Sequence, residues 1–93
     1  MSGLVRIGPF AATYISTATS TQVKTGPGIL HAIIVGTTAA GSIIVIDGTS
    51  GSTPNIATLK SSIVEGSYIF NANFSGGLRI VTAAASLITV LWE

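Results

Sequence analysis

The apolar runs of this chain are short and rich in β-branched residues, and turn residues cut them about every 8–12 positions, the spacing of a sandwich or barrel. Thirteen isoleucines and twelve threonines dominate the sequence. A side chain branched at Cβ loses rotamer freedom in a helix and packs well on a pleated surface, so these residues favour strands. No stretch keeps a helical period between two caps. The reading is an all-β fold: a compact β-sandwich or jelly-roll of about eight short antiparallel strands. They are expected near 13–17, 21–25, 28–35, 42–47, 56–60, 67–74, 78–82 and 86–92.

The chain of 93 residues suits one domain, 1–93, and no linker divides it. Residues 1–12, with Gly3, Gly8 and Pro9, suit an extended N-terminal arm or a frayed end. Gly26-Pro27-Gly28 suits a type II turn, with Gly28 taking the positive φ. Asp47 to Pro54 reads as a polar, exposed loop tip.

A domain this small has a thin core, and such domains usually gain stability from disulfides, a metal or oligomerisation. There is no cysteine, and one histidine with three carboxylates does not make a convincing multi-ligand site. Oligomerisation is left. Charge points the same way: 8% of residues are charged, against about 25% in an ordinary soluble domain. A surface so poor in charge suits burial against neighbours. The net charge of +1 gives phosphates little to bind, so no nucleic-acid partner is expected. The apolar runs are far shorter than the ~18 residues of a spanning helix, and the N-terminus lacks the apolar core of a secretion signal. Synthesis in the cytoplasm without export by that route, and no membrane partner, are the expectations.

Individual strands sharpen this. In 67–74, Tyr68, Phe70, Ala72 and Phe74 alternate with Ser67, Ile69, Asn71 and Asn73, the pattern of a half-buried strand. Two other strands do not alternate. Ile29, His31, Ile33 and Val35 oppose Leu30, Ala32 and Ile34; Ile43 and Val45 oppose Ile44 and Ile46. Both faces of these strands are apolar and need cover: the domain's own second sheet can supply it on one face, and a neighbouring subunit, or an overlying loop or arm, on the other. The candidate interface is Ile29, His31, Ile33 and Val35 with Trp92, whose indole anchors a contact or closes the core.

Catalysis finds little support. His31 is the chain's single histidine, the residue type most used for proton transfer, but it lies mid-strand, and no Gly-x-Ser-x-Gly elbow supplies a nucleophile. Its expected role is structural, with a small hydrolase as the rival. Asp47 and Glu65 sit in turn sequences, where carboxylates are usually solvated rather than paired for glycoside hydrolysis. The glycine-rich turns match neither phosphate-binding pattern. No catalytic, metal or cofactor residues are expected.

Tyr14 to Thr19 running into Val23-Lys24-Thr25-Gly26-Pro27-Gly28-Ile29-Leu30-His31 resembles the N-terminal half of small proteins encoded by tailed bacteriophages. Ile44-Val45-Ile46-Asp47 and Phe74-Ser75-Gly76-Gly77-Leu78 sit where those proteins carry a strand with an acid and a Phe…Gly-Leu turn. The likeness runs from about residue 13 onward. It implies a structural virion protein with no catalytic residues, first a capsid decoration (cement) protein that stabilises the head as a homotrimer or dimer on the major capsid protein. A tail- or fibre-associated module that recognises a host glycan, through the 47–54 loop, or another virion protein is the alternative.

Overall fold

The computed structural model describes residues 10–49 and 55–93 and contains eight strands. They are β1 (Ala11–Ile15), β2 (Ser20–Thr25), β3 (Gly28–Thr37), β4 (Ile43–Asp47), β5 (Asn55–Leu59), β6 (Gly66–Phe74), β7 (Gly77–Thr82) and β8 (Leu87–Trp92). Each expected strand has its counterpart. The breaks fall at residues that cannot continue a ladder or that favour a turn, such as Gly26-Pro27 and Ser75-Gly76.

Pairing follows one scheme. β1 pairs β8, β2 pairs β7, β3 pairs β6 and β4 pairs β5, all antiparallel, as in one long hairpin folded at its middle. That hairpin then wraps, so that β3 also pairs β8 and β4 also pairs β7. The result is two four-stranded sheets, ordered β1-β8-β3-β6 and β2-β7-β4-β5. This is a jelly roll.

The core lies between the sheets. Ile15, Leu30, Ile33, Val35, Phe74, Ile88 and Val90 from the first meet Ile43, Val45, Leu59, Leu78 and Ile80 from the second. β6 alternates as expected, with Tyr68, Phe70 and Phe74 turned toward the core and Ser67, Ile69, Asn71 and Asn73 exposed.

β3 departs from strict alternation. Leu30 lies opposite Trp92 and Ala72, and Ala32 lies opposite Leu91 and Ile69. His31 is therefore an extra residue against β8, while against β6 it faces two residues, Phe70 and Asn71, and this irregularity reverses the facing of β3. Leu30 consequently joins Ile33 and Val35 in the core instead of opposing them. Ile33 and Val35 are 0% and 2% exposed, so the expectation that they form a partner-facing surface is corrected: the domain's own second sheet covers them.

The turn at Gly26-Pro27 is also corrected. Gly26, not Gly28, has the positive φ (83°). Gly28 opens β3 and is small for another reason: a Cβ there would lie 2.6 Å from the Phe74 ring and collide with the carbonyl oxygen of Glu93. Of the expected N-terminal arm, 1–9 lie outside the described residues, while Ala11 and Ala12 belong to β1. Residues 50–54 of the expected loop tip also lie outside them.

Candidate functional site

None of the four strands β1, β8, β3 and β6 contains Asp, Glu, Lys or Arg. The other sheet carries Lys24, Asp47 and Arg79. The fold thus gathers the uncharged strands, scattered along the sequence, into one sheet.

Residues opposite each other in an antiparallel ladder share a face. The inward rows are Ile15–Ile88–Val35 and Thr13–Val90–Ile33–Tyr68. Between them run the outward rows, Tyr14–Thr89–Ile34–Ser67 and Ala12–Leu91–Ala32–Ile69. Two of these residues are large, apolar and mostly solvent-facing: Tyr14 is 63% and Ile69 61% exposed. Ile34 adds a third, less exposed one. Tyr14 on β1 and Ile69 on β6 stand at opposite edges of this uncharged face, with Ile34 of β3 between them.

His31 stands at one end of this outer face. Phe10 stacks on its ring, with centroids 4.0 Å apart and planes within 7°. Its Nδ1 lies 2.6 Å from Oδ1 of Asn71, a hydrogen bond the amide accepts when Nδ1 carries the proton. Asn71 itself has φ of 49°, a left-handed conformation that asparagine tolerates better than most residues. Imidazole, amide and phenyl ring form a clamp between β3, β6 and the segment entering β1. A nucleophile and a carboxylate, which acyl transfer needs around the imidazole, are not among these partners.

Trp92, expected as an interface anchor or a core plug, packs against the core, and its indole N–H donates to the Thr13 hydroxyl at 2.9 Å. Ile29 lies at the sheet's end, half-buried, exchanging two backbone hydrogen bonds with Glu93. Of the expected interface residues, Ile29 and His31 thus reach the surface, Trp92 is partly covered, and Ile33 and Val35 do not reach it. Tyr14 and Ile69 were not singled out by sequence. Their signal was present, an exposed-position apolar residue in each alternating strand, but it acquires meaning only when β1 and β6 are placed in the same sheet.

Asp47 ends β4 and is committed elsewhere. Its carboxylate accepts hydrogen bonds from the Ser75 N–H at 3.0 Å and the Gly76 N–H at 2.8 Å, with the Ser75 hydroxyl at 3.4 Å. These backbone donors, Gly76 first, hold its pKa below the ordinary carboxylate value. An open cleft of about 620 Å³ lies beside it, lined by Pro27, Gly28, Ile29, Asn73, Phe74 and Ser75. Phe74 is buried there and offers no stacking face. Glu65 likewise accepts the Thr38 N–H at 3.1 Å. No group of three or more His, Asp or Glu is placed to hold a metal among the described residues. No helix there is long and apolar enough to cross a membrane.

No protein-family model matches the chain, and no curated protein matches it.

Proposed function

We propose that this chain is a structural subunit of a multi-copy particle, specifically a decoration protein on the head of a tailed bacteriophage. It would self-associate as a dimer or trimer and dock on the major capsid protein. The observation that carries this reading is the outer face of the β1-β8-β3-β6 sheet, with no charged residue on four strands and with Tyr14, Ile34 and Ile69 presented to solvent. Jelly rolls also build capsid components, although that fold serves lectins and enzymes as well, so the face and not the fold supports the proposal.

The physics is additive burial. Each docked copy removes apolar surface from water and loses translational and rotational freedom once. Many copies then reinforce a shell together without any of them doing chemistry. The partner surface should be apolar and uncharged over a matching area, since an unpaired charge buried there costs free energy.

Co-sedimentation with the capsids of the parent phage tests the proposal. Wild-type protein is expected to pellet with heads stripped of accessory proteins, and Ile69→Lys to stay in the supernatant while folding normally. A wild-type protein that is monomeric at micromolar concentration and ignores capsids ends the reading.

A further inference from the structure

Each sheet has two edges, and an open edge is a row of unpaired N–H and C=O groups that other chains can join. Three of the four edge strands carry the device that blocks such joining. In β2, Gln22 opposes Arg79 and Lys24 opposes Leu78, so Val23 is an extra residue and the strand is bulged; Lys24 adds a charge. In β5, Ala57 opposes Val45 and Asn55 opposes Ile46, so Ile56 is extra. In β6, Phe70 and Asn71 together oppose His31. Each bulge twists its edge away from a regular partner.

β1 has none of this. Its five residues pair with β8 in unbroken register, and it holds no charge, proline or glycine. Among the described residues it pairs with β8 alone. We infer that β1 is a joining edge, and that its occupant is β1 of a second copy, running antiparallel about a two-fold axis at Thr13.

The side chains fit that register. With Thr13 opposite its own counterpart, Ala12 lies opposite Tyr14 of the other copy, and the converse holds by symmetry. Both residues point outward, Ala12 is small, and the large Tyr14 is mostly exposed, so each tyrosine would lie over the partner's alanine. Threonine opposite threonine is a favourable cross-strand pair, and nothing in β1 repels its own copy. The two four-stranded sheets would become one of eight strands, with backbone hydrogen bonds supplying the join. The inference rests on the self-association proposed above and names the strand that mediates it.

Sedimentation velocity on the full chain tests it, with circular dichroism confirming that each variant folds. Tyr14→Lys and Ala12→Lys are expected to weaken the dimer at least about tenfold, because each places like charges close across the two-fold. Ile69→Lys, on the outer face, should leave it intact. The chain has no cysteine, so register can be read directly. An oxidised mixture of Ala12→Cys and Tyr14→Cys chains is expected to give a disulfide-linked heterodimer. Either variant alone should not, since like positions then lie more than about 7 Å apart. A wild-type monomer at all concentrations removes self-association and this inference together. A wild-type trimer overturns the inference alone, as does an oligomer indifferent to both edge lysines or a mixture that forms no heterodimer.

Discussion

Asp47 shows how a single carboxylate secures a junction of the jelly roll. It ends β4, yet its side chain accepts hydrogen bonds from Ser75 and Gly76 in the turn between β6 and β7. Nearby, Gln22 Nε2 donates to the carbonyl oxygens of Lys24, Gly48 and Leu78 at 2.7, 3.0 and 3.2 Å, tying β2 to the same corner. The sign of the pH dependence follows. The folded carboxyl is more acidic than the unfolded one, whose ordinary value is 3.8. Its stabilising effect is thus complete above that value and is lost as pH falls through the lower folded value. Asp47→Asn keeps the shape but loses the charge on the acceptor. In urea unfolding the variant should be less stable than wild type at neutral pH. The gap should narrow as pH drops below about 4. A gap independent of pH would show that the charge does not stabilise the turn.

At the scale of elements, bulges decide which side chains the molecule shows. The strand positions were legible from residue types alone, because Gly, Pro and Ser stand where the chain reverses. The facing of β6 was legible too, from its plain alternation. The facing of β3 was not. A period of two carries no mark of an inserted residue, and both faces of β3 are apolar, so its hydrophobic pattern cannot report the reversal at His31. The nearest signal is Asn71, a residue able to adopt the left-handed conformation that the bulge in β6 requires. This leads to a graded prediction. Asn71→Ala loses the hydrogen bond to His31 and must hold an alanine at positive φ, a strain of about 1–2 kcal/mol. Asn71→Gly loses the same hydrogen bond without that strain. Chemical denaturation should therefore rank wild type above glycine and glycine above alanine, the last two separated by about 1 kcal/mol. Equal stability of the two variants would mean that the backbone there relaxes freely.

At the scale of the whole molecule, the segregation of charge is a property of topology. β1, β3, β6 and β8 lie far apart in sequence, and only the wrapping of the folded hairpin brings them into one sheet. The low charge could therefore be read from the sequence, but the location of the uncharged surface could not. The segregation sets how the proposed association through β1 should respond to solution conditions. Ion pairs across an interface weaken as salt screens them, whereas joining through backbone hydrogen bonds and apolar contact involves no charge to screen. The dimer midpoint should shift less than about twofold between about 0.05 and 0.5 M sodium chloride. Sodium sulfate, which is excluded from protein surface and strengthens apolar burial, should tighten it. Dilution calorimetry at several temperatures should give a negative heat-capacity change on association, the mark of buried apolar surface. Tenfold weakening by sodium chloride would instead place the contact on the β2-β7-β4-β5 side, where Lys24, Asp47 and Arg79 reside. In that case the uncharged sheet would be left for the larger partner alone.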